Sequence, residues 1–162
     1  PMQWQQICDN PLFRDMPFKF ETNRWGKIEM SPATNQHGLY QARIIRWLAK
    51  LLDGGEPLVE CGIQTAEGVK VADVAWGSTA FFKRNQRANP YLEAPEIVVE
   101  ILSPSNTAEE MRAKQALYFE RGAWEFWLCD QTGELYFFDP NGAIANSRLA
   151  PLFPASIEAD YS

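Results

Sequence analysis

The sequence predicts an α/β protein in which helices flank a mixed β-sheet, and three observations support this fold class. Residues 95–102 form an apolar run rich in β-branched side chains, which is typical of a strand buried on both faces. Residues 35–53 and 107–121 place apolar side chains at helical spacing. The predicted order of elements is helix, strand, strand, strand, helix, strand, and a mixed sheet flanked by helices fits that order best.

Local signals set the elements that precede the central strand. A short strand is expected within residues 18–28, and a second strand, Ile28–Pro32, is ended by its proline. Arg43 is expected on the solvated face of the first long helix. Residues 58–65 and 69–76 are two predicted strands, because a hairpin-type turn of Ala-Glu-Gly separates them.

Capping residues and turns set the elements that follow the central strand. Thr107 and Glu110 have the spacing of a capping box at the start of the second helix, and Gly122 is a natural residue to end it. Further strands are expected at residues 124–129, 134–138 and 143–149, the last two joined by an Asn-Gly turn. The proline-containing segment from Ala150 onward is expected to lie along the surface.

Composition limits the classes of protein that the chain can belong to. At 162 residues and 46% hydrophobic content, residues 1–162 are expected to form one globular domain. We expect a soluble cytoplasmic protein with no membrane partner, since no apolar run is long enough to span a bilayer and the sequence starts without a signal-peptide pattern. We do not expect a zinc site, because the sequence has only three cysteines and one histidine. The net charge of −6 implies that any nucleic acid is bound locally, transiently or with the help of metal ions.

Two acidic residues interrupt strands that are otherwise apolar. Asp73 lies in the sequence Val-Ala-Asp-Val, and Glu100 lies in the central strand. Lys114 falls on the core-facing arc of the following helix, between Leu117 and Tyr118. Two buried carboxylates are ligands that Mg²⁺ favours, and a nearby lysine could orient a water or stabilise a phosphate. A structural ion pair between Glu100 and Lys114 explains the same residues, and the spacing alone leaves both interpretations open.

Four segments together resemble a known superfamily. They are Gly-Lys-Ile-Glu-Met-Ser-Pro at 26–32 with His37, Val-Ala-Asp-Val at 71–74, Pro-Glu-Ile-Val-Val-Glu-Ile-Leu-Ser-Pro-Ser at 95–105, and residues 114–130. This pattern resembles the PD-(D/E)XK phosphodiesterase superfamily and, within it, a widespread bacterial family of uncharacterised "putative restriction endonucleases". The resemblance implies the restriction-endonuclease-like fold, an α-β-β-β-α-β core, here with added N-terminal and C-terminal strands.

The resemblance also implies roles for individual residues. Asp73 and Glu100 would be catalytic metal ligands for Mg²⁺ or Mn²⁺, with Glu29 and the Ile101 carbonyl as further ligands. The lysine that the motif places two residues after Glu100 is replaced by leucine, and Lys114 matches the position to which this family moves it. The proline of the motif is also replaced, by an alanine before Asp73, and only the aspartate takes part in the chemistry.

The expected activity is therefore that of a Mg²⁺-dependent DNA endonuclease, and cutting both strands implies a homodimer. Residues considered for substrate binding are Gln115, His37 and the basic cluster Lys83, Arg84 and Arg87. Each of these also has a plain structural interpretation as a helix-capping, packing or solvated residue. A catalytically inactive member that serves as a binding or assembly module, and an enzyme acting on another phosphate ester, are the alternative functions.

Overall fold

The structure, a computed structural model, describes residues 2–159. Its helices are α1 (Trp4–Asp9), α2 (Pro11–Arg14), α3 (Asn35–Leu51), α4 (Thr79–Asn85) and α5 (Ala108–Glu120). Its strands are β1 (Phe18–Thr22), β2 (Ile28–Pro32), β3 (Gly55–Thr65), β4 (Gly68–Ser78), β5 (Ile97–Ile101), β6 (Glu125–Cys129), β7 (Leu135–Asp139) and β8 (Gly142–Ile144).

Six of the strands form one mixed sheet in the order β3-β4-β5-β6-β7-β8. The β5–β6 pair is parallel, because α5 carries the chain across between these two strands, and the other pairs are antiparallel. Strands β1 and β2 form a separate antiparallel hairpin. The predicted mixed sheet flanked by helices, with added strands at both ends of the core, is confirmed.

The two faces of the sheet are covered by different helices, and β5 shows the alternation that makes this possible. Ile97, Val99 and Ile101 of β5 belong to the core cluster that contains residues of α3. Val98 belongs to the second cluster, which contains Tyr118 of α5. Because successive side chains of a strand point to opposite faces, Glu100 projects to the same face as Val98, toward α5.

Threonine caps fix where the two long helices begin. The hydroxyl oxygen of Thr34 accepts a hydrogen bond from the backbone N–H of His37 at the start of α3. At the start of α5 the hydroxyl oxygen of Thr107 accepts from the backbone N–H of Glu110. These caps satisfy a backbone N–H in the first turn of each helix, and the site described below lies beside both helix N-termini.

Three expectations about the surface and the chain ends are wrong. The segment from Ala150 onward is not superficial, since Ala150, Phe153 and Ile157 are buried, and the Phe153 ring lies 4.6 Å from that of Trp127, centroid to centroid. This segment crosses α3, which is why Arg43 is buried and donates a hydrogen bond to the Ile157 carbonyl at 3.1 Å. The last strand, β8, is also much shorter than residues 143–149.

Within residues 2–159 no helix is both long and apolar enough to cross a membrane.

Candidate active site

The candidate site forms where β4 and β5 separate. The two strands pair from Trp76↔Ile97 to Val74↔Val99, and one further step of that register sets Asp73 opposite Glu100. At that point the Asp73 side chain takes the place of a backbone acceptor for Ile101. Its Oδ2 accepts a hydrogen bond from the Ile101 N–H at 2.7 Å. Both carboxylates are almost fully buried, with 1% of each residue exposed.

The β1–β2 hairpin covers the half of β4 that β5 leaves unpaired. The carboxylate of Glu21 accepts from the Val71 N–H at 2.8 Å, and the hydroxyl of Thr22 accepts from the Val69 N–H at 2.8 Å. Lys19 donates from its Nζ to the Val71 carbonyl at 3.0 Å. Side chains of β1 therefore satisfy backbone groups that a neighbouring strand would otherwise pair, and this brings Lys19 and Glu21 to the acidic pair.

Lys19 contacts both buried carboxylates. Its Nζ lies 3.0 Å from Oδ1 of Asp73 and 3.5 Å from Oε2 of Glu100. The Lys19 side chain is only 14% exposed, so these are largely desolvated ion pairs. The amine that touches both acids is thus supplied by the N-terminal hairpin.

Lys114 contacts Glu100 from the α5 side. Its Nζ lies 2.9 and 3.1 Å from the two oxygens of Glu21 and 3.5 Å from Oε1 of Glu100. Tyr118, one turn further along α5, donates its hydroxyl proton to the same Oε1 at 2.7 Å. The predicted approach of Lys114 to Glu100 is present, and Glu21 is its closer partner.

His37 completes the contacts of Asp73. Its Nε2 lies 3.1 Å from Oδ1 of Asp73, while its buried Nδ1 has no hydrogen-bond partner among residues 2–159. Gln41, one turn further along α3, donates its side-chain N–H to the Asp73 carbonyl at 2.9 Å and to Oε1 of Glu60 at 2.8 Å. The N-terminal turns of α3 therefore hold both the side chain and the backbone of Asp73.

Burial and the lysines move the pKa values of the two carboxylates in opposite directions. Burial raises the pKa of Glu100 to about 7, against the lowering effect of Lys114 and Lys19. Burial also acts to raise the pKa of Asp73, but the charge of Lys19 and the hydrogen bond with His37 hold it below its usual value. One acid of the pair therefore stays ionised, and the other can exchange a proton near neutral pH.

The lysines and the histidine remain cationic more readily than usual. Burial opposes the charge of Lys19, yet Glu100 and Asp73 raise its pKa. Lys114 behaves in the same way, with Glu100 and Glu21 raising its pKa against burial. The hydrogen bond with Asp73 raises the pKa of His37 above its ordinary value. The centre is thus a compact array of alternating charges.

The cluster opens into a cleft of about 1080 Å³. Seven carboxylates, three lysines and one histidine line it: Lys19, Glu21, Glu29, His37, Glu60, Glu67, Lys70, Asp73, Glu100, Glu110 and Lys114. The cleft gives solvent and solutes access to the acidic pair, and its walls carry more negative than positive charge.

The donor set fits a hard divalent cation. Oδ2 of Asp73 and Oε1 of Glu100 accept hydrogen bonds from the Ile101 N–H and the Tyr118 hydroxyl. The other two oxygens, Oδ1 of Asp73 and Oε2 of Glu100, converge on the ammonium group of Lys19, and Oδ1 also contacts His37. Residues 2–159 contain no group of three or more histidine, cysteine, aspartate or glutamate side chains arranged to hold a metal. Mg²⁺ commonly uses one or two carboxylates and completes its shell with water and substrate phosphate, so two convergent carboxylates are sufficient donors.

Glu29 lies on the hairpin strand next to Glu21. It lines the cleft but is exposed on β2, and it is the register partner of Glu21 across the hairpin. Because β1 is the strand that lies against β4, Glu21 reaches the buried centre and Glu29 stays at the rim. The N-terminal carboxylate that contacts the buried centre is therefore Glu21, and the metal-binding role expected of Glu29 stays a prediction.

The other residues considered for substrate binding differ in their placement. His37 contacts Asp73, as described above. The basic cluster lies on α4 and just after it, at the end of β4 away from Asp73, and none of Lys83, Arg84 and Arg87 lines the cleft. Arg84 instead pairs with Glu93 at 2.9 Å. Gln115 is half-buried on α5 and also lies outside the cleft lining.

Sequence reasoning did not identify Lys19, Glu21 and the hydroxyl of Tyr118. The only available signal was the alternation Phe-Lys-Phe-Glu-Thr in β1, which sets Lys19 and Glu21 on one face of a strand. That pattern is common on solvated strands, and it does not show which element the charged face meets. Tyr118 was predicted to be a core residue, and it is buried, but its hydroxyl also binds Glu100.

Comparisons with known proteins agree with this architecture. Among solved structures, the fold is similar to that of a "putative nuclease belonging to DUF820" from Anabaena variabilis, with a TM-score of 0.70 and 18% identity over 97% of this chain and 96% of that one. A comparison with curated proteins found no match. Residues 6–155 match the Uma2 family, described as "Putative restriction endonuclease". Since that match spans most of the sequence, the chain belongs to the Uma2 family.

Proposed function

We propose that this protein is a Mg²⁺- or Mn²⁺-dependent nuclease of the PD-(D/E)XK type that hydrolyses phosphodiester bonds, with DNA as its substrate. One observation carries the proposal: Asp73 and Glu100, from adjacent strands, direct one oxygen each toward a single cationic position inside an open cleft. Membership of the Uma2 family and the likeness to a nuclease fold support the same reaction class.

Asp73 and Glu100 would hold the metal through the two oxygens that face Lys19, and the Ile101 carbonyl at the cleft is a further candidate ligand. When bound, the metal supplies Lewis-acid activation of water and charge neutralisation at the phosphate. The Ile101 N–H and the Tyr118 hydroxyl keep the two carboxylates oriented. These residues act as a rigid frame for the metal ligands.

We assign to Lys114 a role in contacting the attacking water and the phosphate of the substrate. Its ammonium group is held by both oxygens of Glu21 beside Glu100, at the wall of the cleft. From this position it can orient the attacking water by hydrogen bonding and stabilise the negative charge that develops on the phosphate. Burial opposes the charge of Lys114, but the negative charges of Glu100 and Glu21 raise the pKa of its amine and keep it protonated.

A cleavage assay with matched variants tests the proposal. Plasmid, single-stranded DNA, RNA and nucleotides are incubated with Mg²⁺ or Mn²⁺ and either the wild type, Asp73→Asn or Asp53→Asn. Asp53 is exposed and lies outside the cleft, so Asp53→Asn should cut like the wild type. Asp73→Asn should lose roughly 100-fold or more of the rate, since metal assistance contributes several kcal/mol.

The same assay separates the alternatives. Hydrolysis of nucleotides without cleavage of polymers would indicate an enzyme for another phosphate ester. Absence of cleavage together with a calorimetric Mn²⁺ signal that Asp73→Asn leaves unchanged would indicate a non-catalytic binding or assembly module. Cutting of both strands of a duplex requires two sites, so we also propose a homodimer, which light scattering after size-exclusion chromatography would test by its mass.

A further inference from the structure

The position between the two acidic strands is filled by a side chain of the protein itself. Nζ of Lys19 lies 3.0 Å from Oδ1 of Asp73 and 3.5 Å from Oε2 of Glu100. Oδ1 of Asp73 also lies 3.1 Å from Nε2 of His37, whereas Oδ2 of Asp73 is taken by the Ile101 N–H. Oε1 of Glu100 is taken by the Tyr118 hydroxyl.

Lys19 and Lys114 are held differently. Lys114 is anchored by two oxygens of Glu21, at 2.9 and 3.1 Å, and meets only Glu100 of the acidic pair. Lys19 meets both acids and also donates to the Val71 carbonyl. A lysine ammonium sits on a flexible four-carbon stem, and Lys19 lines the cleft. Its head group can therefore leave the acids for solvent without moving β1.

We infer that Lys19 is a tethered cation, which holds Asp73 and Glu100 together in the metal-free protein and competes with the divalent metal for the same two oxygens. Lys19 is a positioning residue in this arrangement, and the metal must displace its ammonium group in order to bind. The inference rests on the proposed metal-binding function. It adds that the affinity for the metal is lower than the two acids alone would give, because binding must displace the Lys19 ammonium group.

Isothermal titration with Mn²⁺ tests this competition directly. Lys19→Met keeps an unbranched side chain one atom shorter and removes its charge, while Lys27→Met removes the same charge from an exposed position in the same hairpin. Lys19→Met should bind Mn²⁺ roughly tenfold more tightly or better than the wild type, because two direct ion-pair contacts no longer oppose binding. Lys27→Met should match the wild type. An affinity of Lys19→Met equal to or weaker than that of the wild type would overturn the inference.

Thermal unfolding gives a second readout on the same proteins. In EDTA, Lys19→Met should melt below the wild type, since two buried carboxylates lose their shared counter-charge. Mn²⁺ should then raise its melting temperature more than that of the wild type, because at a given concentration a ligand that binds the folded state more tightly stabilises it more. An equal rise in the two proteins would contradict the competition.

The wild-type protein provides a measurement that does not depend on any variant folding. Amine-labelling followed by mass spectrometry compares Lys19 with Lys27 in EDTA and in Mn²⁺. Displacement of the Lys19 ammonium into the cleft should increase its labelling severalfold, with Lys27 unchanged. Constant or reduced labelling of Lys19 in saturating Mn²⁺ would overturn the inference.

The results distinguish failure of this inference from failure of the proposed function. Mn²⁺ binding that depends on Asp73 but is not improved by Lys19→Met leaves the nuclease proposal standing and rejects the tethered cation. Absence of Mn²⁺ binding in the wild type and in Lys19→Met alike rejects both.

Discussion

A single tyrosine shows how one residue can be both a packing residue and part of the site. Tyr118 is fully buried against Phe126, with ring centroids 6.2 Å apart, and its hydroxyl donates to Glu100. A buried carboxylate that loses a donor retains its desolvation penalty. The hydroxyl therefore stabilises the ionised form of Glu100 in a place where burial disfavours it.

Removal of that hydroxyl should destabilise the protein in a pH-dependent way. We expect Tyr118→Phe to cost about 2 kcal/mol at pH 8, where Glu100 is ionised, and about 1 kcal/mol at pH 5, where it is protonated, since hydrogen bonds to charged groups are stronger. Urea unfolding in EDTA at both pH values measures this. Tyr136→Phe is the control, because the exposed Tyr136 hydroxyl contacts Asp130 at 3.3 Å rather than a buried carboxylate. Equal costs at the two pH values would contradict the assignment.

The raised pKa of Glu100 also predicts how the stability of the metal-free protein depends on pH. Between pH 4.5 and about 7 the unfolded chain has released the Glu100 proton while the folded protein still holds it, so raising the pH favours unfolding. His37 acts in the same direction, because its folded-state pKa is raised and the stability this gives is lost as the pH rises through that value. Asp73, with a lowered pKa, contributes stability that is lost only in acid.

The wild type should therefore lose stability from pH 4.5 to above 7, with a Glu100 contribution on the order of 3 kcal/mol. Glu100→Gln should remove that contribution and leave the smaller decline due to His37. Chemical unfolding in EDTA across this pH range provides the free energies. If Glu100→Gln declines as steeply as the wild type, the raised pKa of Glu100 is not the cause.

At the scale of elements, the β1–β2 hairpin does for β4 what a neighbouring strand would do. The Thr22 hydroxyl accepts from the Val69 N–H, and Thr22 itself is only 7% exposed. Thr22→Val keeps the shape and the strand preference but leaves a buried N–H without an acceptor, which should cost about 1–3 kcal/mol.

Urea unfolding and hydrogen exchange together measure this prediction for Thr22→Val. The Val69 amide should exchange faster, since local opening no longer breaks a hydrogen bond. Thr132→Val serves as the control, because Thr132 is exposed and its hydroxyl bonds to Asp130 within the same turn. A change in stability no larger than that of the control would show that the hairpin does not support β4 through this contact.

The elements that sequence reasoning predicted are those whose signals are local. Amphipathic spacing predicted α3 and α5, the capping residue Thr107 marked the start of α5, and the apolar run predicted β5. The role of β1 depends on contacts across long sequence separations, 54 residues for Lys19 with Asp73 and 93 for Lys114 with Glu21. Spacing within β1 shows a charged face but not its partner, so Asp73, Glu100 and Lys114 could be identified together while Lys19 and Glu21 could not.

At the scale of the whole molecule, charge is the feature that most constrains a nucleic-acid substrate. The chain carries a net charge of −6, and the cleft is lined by seven carboxylates against three lysines and one histidine. Lys19 and Lys114 are engaged by carboxylates, and Lys70 donates to the Thr22 carbonyl. Phosphates that enter such a cleft meet repulsion unless divalent cations offset it, so nucleic-acid binding itself should require the metal.

Fluorescence anisotropy with a labelled phosphorothioate oligonucleotide, which resists hydrolysis, tests this requirement at constant ionic strength. Binding should be tight enough to measure in Mg²⁺ and much weaker in EDTA. Glu29→Gln removes one rim charge and should strengthen binding about twofold, the effect expected of a single charge acting through water over about 10 Å. Glu56→Gln removes the same charge from an exposed position on β3 outside the cleft and should have no effect. Binding in EDTA as tight as in Mg²⁺, or equal affinities for the two variants, would mean that nucleic acid engages a surface other than this cleft.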